Sequence, residues 1–366
     1  MKMKNSSFML YAAAFLFAFI MAACTKSTEP DNTPDNPNNN NNTEIASSVT
    51  DIKSNGNYAL MITDAGTVYS AFLMNSAYGS SIVHERVPGL KDIRKIAAAP
   101  ANNNSGHYEG LALDKNGNLF TINMNFTTGK PDSALAFTQA SYFNGSVITD
   151  IAAGGDGSTI FFLALTQSGF IYGWGNNGSS LYGIYAGNAP QIISGVSNVA
   201  AISAGVSQAL ALTTSGNVYN WGTVSRQNDE KYTSPTLVIG ASPASAIDAG
   251  DNYNIARRSD GSVYAWGHLL DDMVPGITTP SIISAGAETY FNPMFVKSDG
   301  TLWNTYFSMV DGSPQAAERV AELSAYTFKL IDISRLAYYI DSTGKLLIQS
   351  SSGTSPYILN TPHKKN

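Results

Sequence analysis

Ala209-Leu210-Ala211-Leu212-Thr213-Thr214-Ser215-Gly216-Asn217-Val218-Tyr219-Asn220-Trp221-Gly222 reads as two short strands around a tight turn. The turn glycine can take a positive φ without steric cost, and Ser, Asn or Asp before it is the usual companion. The pattern recurs from Leu163 to Gly175 and from Ile255 to Gly267. Fainter copies centre on Gly66, Gly117, Gly300 and Gly344, with Asn116-Gly117 and Asp299-Gly300 as their turn pairs. The seven turn glycines are 51, 52, 47, 45, 39 and 44 residues apart. A period of that size means one supersecondary unit stacked many times.

Each unit holds more than the strand pair. Before it comes a short apolar strand ending in small residues, such as Ile151-Ala152-Ala153-Gly154, Ile202-Ser203-Ala204-Gly205 and Ile247-Asp248-Ala249-Gly250. Small side chains suit a crowded inner edge where strands converge. Between units runs a Pro-marked segment, Pro190 to Ile193, Pro235 to Val238 or Pro280 to Ile283, which supplies a fourth strand or its lead-in. Four strands per unit and seven units predict an all-β, seven-bladed propeller of four-stranded antiparallel blades. It forms one domain over residues 45–362. No Pro-marked segment precedes the first unit, near Ser48 to Ile52, whereas Pro356 to Leu359 follows the last. The expectation is that this C-terminal strand pairs in blade one and closes the ring, removing open edges.

Composition narrows function. Charged residues make up 13% of the chain and the net charge is −6, with no basic stripe, so the electrostatic footprint of a nucleic-acid binder is missing. The single cysteine, Cys24, excludes internal disulfides and Cys-based zinc sites.

The N-terminus reads as an address. Lys2 and Lys4 precede an apolar run from Phe8 to Met21, too short for a comfortable span. Met21-Ala22-Ala23-Cys24 resembles a bacterial lipobox, which implies a signal peptide over residues 1–23 and acylation of Cys24. Thr25 follows in place of the Asp that retains many enterobacterial lipoproteins in the inner membrane. The outer membrane is therefore expected, on its periplasmic or its surface face. Residues 24–44 carry prolines and five consecutive asparagines, Asn38 to Asn42, with almost nothing apolar. Such a segment cannot build a core and reads as a disordered tether with a reach of ~25 Å. Its composition is similar to that of Bacteroidota lipoprotein tethers.

Trp174-Gly175-Asn176-Asn177-Gly178-Ser179-Ser180-Leu181-Tyr182-Gly183 resembles the Trp-Gly-x-Asn-x-x-Gly-Gln-Leu-Gly stretch of the RCC1-like family. Ile202 to Gly205 followed by Ala209 to Leu212 resembles its Ala-Gly and Leu-Ala-Leu core. The resemblance is strong in blades three to five and faint elsewhere, and covers about residues 48–361. It implies a propeller that presents loops to a protein partner. Family members include a nucleotide-exchange factor, ubiquitin-ligase modules and a secreted β-lactamase inhibitor. The family often carries a histidine near the start of the second strand; that column here reads Tyr58, Glu109, Phe161, Gln208, Tyr253, Asn292 and Leu336. Exchange activity therefore does not follow from the resemblance, because a fold does not fix a function.

His84, His107, His268 and His363 form no short ligand spacing, so no metal or cofactor is expected. Asp114 to Asn118 has its glycine misplaced for an EF-hand and reads as a hairpin. Asp150, Asp248 and Asp332 lie on or beside inner strands of different blades and in no common repeat column, where they read as polar lining of a channel mouth. Trp174, Trp221 and Trp266 recur at one position and read as inter-blade packing. Loops between first and second strands share one end of a propeller and bring Tyr58, Tyr108, Tyr253, Tyr290 and Phe291 toward one rim as a candidate binding face. The expectation is a monomeric, membrane-anchored, non-enzymatic module binding an envelope or extracellular protein. Glycan binding on the same face is the alternative, and a propeller lyase or glycosidase a third reading.

Overall fold

In the computed structural model the described residues run from 49 to 358. Residues 1–48, 56–57, 77–78, 103–106, 126–129, 133–134, 137–139, 157–158, 176–186, 226–229, 252, 268–269, 287–292, 308–312, 334–335, 345, 351–356 and 359–366 lie outside the description. The signal peptide, Cys24, the tether, Tyr290 and Phe291 are thus outside it.

Seven four-stranded antiparallel sheets follow one another along the chain, each in plain sequential strand order. They span residues 49–86, 93–136, 148–193, 199–237, 244–278, 282–319 and 328–358, and are blades 1 to 7. First strands of successive blades adjoin in order, and that of blade 7 adjoins that of blade 1. The sheets therefore close into a propeller ring. All seven turn glycines anticipated from the period sit between second and third strands with φ between 72° and 89°. These turns and the blade-to-blade connectors share one end, here the hairpin end. The opposite, loop end carries the first-to-second and third-to-fourth strand loops.

Closure differs from the expectation. The C-terminal strand Tyr357–Ile358 pairs with Leu346–Ser350 as the outermost strand of blade 7. Blade 1 has its own fourth strand, Gly79–Arg86. The Pro190 and Pro235 segments lie in the fourth strands of blades 3 and 4, and Pro280 leads into the first strand of blade 6, so blade 1 lacks nothing. The seam between blades 7 and 1 is sealed by side chains: Ile52, Met61 and Tyr69 pack on Tyr338, Ile340 and Ile348.

The core is divided into seven clusters, one between each pair of neighbouring blades. Period-two geometry explains how one strand feeds two of them. In Ile160–Thr166, Ile160, Phe162 and Ala164 face blade 2, whereas Phe161, Leu163 and Leu165 face blade 4. Both faces are buried, so the strand reads as a continuous apolar run. Trp174, Trp221 and Trp266 lie in three of these clusters, as the recurrence predicted.

Candidate functional site

The inner strands enclose a central cavity of about 280 Å³. Its lining follows from register. Ile52, Ile96, Ile151, Ile202, Ile247, Ile283 and Ile331 each pair with the residue five positions before their blade's turn glycine. The residues on either side of each isoleucine point to the opposite face. The position after it holds Lys53, Ala97, Ala152, Ser203, Asp248, Ser284 and Asp332. The position before it holds Asp51, Lys95 and Asp150 in blades 1 to 3. Asp248 and Asp332 therefore share a repeat position, contrary to the expectation that the three aspartates occupy no common column. All six charged groups line the cavity.

Most of these groups fasten one blade to the next. Ser203 Oγ accepts from Ala249 N–H at 3.0 Å and donates to Asp248 Oδ1 at 3.2 Å. Asp248 Oδ2 accepts from Ala285 N–H at 2.7 Å. Ser284 Oγ accepts from Ile333 N–H at 3.2 Å. Asp332 Oδ2 accepts from both the N–H and the hydroxyl of Ser54, each at 2.6 Å. One latch thus passes from blade 4 to 5, 5 to 6, 6 to 7, and across the seam from 7 to 1. Lys53, Ala97 and Ala152 have no side-chain acceptor to offer at that position.

Ion pairs add to this. Lys53 Nζ lies 3.5 Å from Asp332 and Lys95 Nζ 2.8 Å from Asp150. The Lys53 side chain stays 46% exposed because it faces the open channel. Asp332 beside it raises its pKa further. Burial pushes the Asp248 carboxyl up to about 6, against the pull of Lys53. Burial raises Asp51 as well, with Lys53 opposing. Lys53 is the common counter-charge for three carboxylates, Asp51, Asp248 and Asp332. Among the described residues no three His, Cys, Asp or Glu side chains assemble as a metal site.

Nearer the loop end, the inner strands approach backbone to backbone. A Cβ on Gly154 would stand 2.2 Å from Gly205 O, and one on Gly205 2.0 Å from Gly250 O. Gly155, Val206 and Asp251 N–H groups donate to the carbonyls of Gly205, Gly250 and Gly286 in the next blade, at 3.2 to 3.3 Å.

The aromatics expected on one rim separate. Tyr58 is in phase with Leu60 and Ile62, and so enters the blade 1–2 cluster, where it packs 5.2 Å from Tyr108. Both are buried, which removes them as contact residues. Phe161 and Leu336 in the same repeat column carried that signal in the sequence. Tyr253 is half-buried at the loop end, edge-on to Phe307 at 4.9 Å. Beside Phe307 stands Tyr306, 52% exposed, its hydroxyl accepting from Asn304 Nδ2 at 3.2 Å. Tyr306 and Phe307 escaped the sequence reading because they lie in a third-to-fourth strand loop. Asp114 accepts from the N–H groups of Asn116 and Asn118 within its hairpin, in keeping with the turn reading.

No family model matches the chain. The secretion-regulating guanine nucleotide exchange factor of Bos taurus is 30% identical over 143 residues, 37% of this chain and 30% of that protein. The chain thus spans under a third of the length of that curated relative. Among solved structures, human WBSCR16 superposes with a TM-score of 0.60 at 14% identity, covering 85% of this chain and 88% of that one. Prp20p of Saccharomyces cerevisiae gives 0.53 at 16% identity, covering 70% and 71%. YCF48 bound to a D1 peptide gives 0.50 at 12% identity, covering 83% and 94%. At these identities the likeness is one of fold.

Proposed function

We propose that this chain, an RCC1-like seven-bladed propeller, is a non-enzymatic protein-binding module of the cell envelope, held to the outer membrane by a lipid on Cys24. The observation that carries the binding surface is Tyr306, 52% exposed in the third-to-fourth strand loop of blade 6 and next in sequence to Phe307, which packs on Tyr253. A half-exposed tyrosine, its hydroxyl held by Asn304, offers a large contact area at small entropic cost. The channel supports a non-enzymatic role: Asp150 and Asp332 are ion-paired, and Asp248 is engaged between blades. A protein partner is favoured over a glycan because Prp20p is described with its binding to Gsp1p and histones, and YCF48 with a bound peptide.

The test is capture from envelope extracts with the full chain, then titration of the identified protein against wild type and Tyr306→Ala. The variant is expected to bind about tenfold more weakly. Asp64→Ala at the hairpin end is expected to bind like wild type. Equal binding by Tyr306→Ala, or saturable binding to a polysaccharide on a glycan array with no protein captured, overturns the reading. Anchoring has its own check: Cys24→Ser is expected to leave the membrane fraction, and protease treatment of intact cells reports the face.

A further inference from the structure

Residues 157–225, most of blades 3 and 4, contain no Asp, Glu, Lys, Arg or His. Large exposed apolar side chains are concentrated on the same two blades. Among the described residues they are Val147, Phe170, Ile192, Leu237, Ile239 and Tyr306. Scattered singly, such residues are ordinary. Here five of the six belong to blades 3 and 4 and lie toward the hairpin end. Val147 precedes the first strand of blade 3, Phe170 sits in its hairpin, and Ile192 is on its outermost strand opposite Tyr172. Leu237 ends the outermost strand of blade 4, and Ile239, 81% exposed, follows in the connector.

The elements bearing them touch. Val147 O accepts from Gln167 N–H, and Gly169 O, next to Phe170, accepts from Val199 N–H of blade 4. The Gly195 connector abuts the ring of Pro235 on the outermost strand of blade 4. Toward the hairpin end charge stands at the flanks, whereas Glu230 and Lys231 lie at the loop end of the outermost strand of blade 4. On one side Lys115 pairs with Asp92, and on the other Arg258 donates to Gly240 O beside Ile239.

The course of the chain points to the occupant. The first strand of blade 1 begins at Val49, paired with Thr63 at the hairpin end, and runs toward the loop end. The chain therefore enters the propeller at the hairpin end, where the proposed anchor at Cys24 would be joined to it. We infer that the hairpin end of blades 3 and 4 lies against the lipid surface, with Val147, Phe170, Ile192, Leu237 and Ile239 dipping into the interfacial layer. The choice of lipid as occupant rests on the proposed anchoring at Cys24. An uncharged, apolar-tipped surface loses no charge solvation on approaching the interface, so contact area drives its attachment. The aromatic patch at the loop end is then left facing away from the bilayer.

The lone cysteine makes the test specific. Full chain lipidated at Cys24, whose acylated thiol takes no label, is labelled with an environment-sensitive dye at Ile239→Cys or, as control, at Tyr306→Cys. It is mixed with phosphatidylcholine–phosphatidylethanolamine vesicles containing brominated lipid. Sedimentation reports whether the chain is on the vesicles, and so tracks attachment through the N-terminal segment. The label reports whether the patch meets lipid. The dye at position 239 is expected to shift to the blue and to be quenched several-fold more than the dye at 306, equally at low and high salt. Adding Phe170→Asp is expected to abolish that difference while sedimentation persists. Vesicle-bound protein whose two labels respond alike overturns the inference and leaves the anchor standing. A shift at 239 without vesicles, with a dimer by light scattering, assigns the patch to a second copy and equally overturns it. Protein that stays off the vesicles overturns both.

Discussion

Blades 3 and 4 and the arc from blade 7 through 1 to 2 are built on the same repeat and cohere differently. The first region is free of charge over residues 157–225. Its inner strands meet through glycine carbonyls and amides, and its interfaces are filled by Phe161, Trp174 and Trp221. In the second, Ala99 and Asn55 take the place of the belt glycines, Lys53 pairs with Asp332 across the seam, and Lys95 reaches Asp150 on the inner strand of blade 3. Where glycines let the inner strands approach, backbone contacts join neighbouring blades, with the Ser203 and Asp248 latches beside them. At the seam between blades 7 and 1, Asp332 bridges to Lys53 and Ser54. One repeat therefore tolerates two modes of cohesion, selected by a few inner-strand positions.

The largest expected effect tests the backbone belt. Gly205→Ala places a Cβ 2.0 Å from Gly250 O. It is expected to destabilise by about 3 kcal/mol or more in urea melts, because the obstructing atom is main chain. Ala99→Gly, at the equivalent position of blade 2, is expected to cost about 1 kcal/mol or less. Similar losses for the two would erase the distinction between the arcs.

Next comes the seam. Asp332→Ala leaves the Ser54 N–H and hydroxyl without their acceptor and Lys53 without its nearest counter-charge. The expected loss is about 2–3 kcal/mol. Lys53→Met, which removes a half-exposed partner, is expected to cost under about 1 kcal/mol. If Lys53→Met proves the more damaging of the two, the hydrogen-bonded latch is secondary to the ion pair.

The smallest effect is a pH dependence. The folded-state pKa of Asp248, about 6, lies above its reference of 3.8. The folded protein therefore binds this proton first, and stability rises as pH falls from 7 toward 4, with no further gain below. The stability difference between wild type and Asp248→Asn should move in favour of wild type over that interval. A flat difference would show that the latch to Ala285 holds the carboxylate ionised without penalty.

Much of this was legible in the sequence. The turn glycines, the blade count and the buried tryptophans follow from a period and from residue size. Closure was misread for a physical reason: a cyclic repeat does not say where its unit should be cut. Pro356 to Leu359 can be assigned backward to blade 7 or forward to blade 1 with equal periodicity. Tyr58 and Tyr108 were placed on a rim because they begin strands beside loops. Strand phase, which puts Tyr58 with Leu60, decides that they turn inward. The channel latches were hidden because Ser203, Asp248, Ser284 and Asp332 differ in type while sharing one geometric task. The charge-free stretch was in plain view, but its meaning depended on which end of the blades it reached.

Because blade 1 and blade 7 each consist of one continuous segment, no sheet straddles the point where the ring closes. Every blade-to-blade connector is then equivalent to that seam as a place to cut. Joining the natural ends and opening the chain between blades 4 and 5 would preserve all seven sheets. The order of blades along the gene is, in this architecture, separable from their order around the ring's circumference.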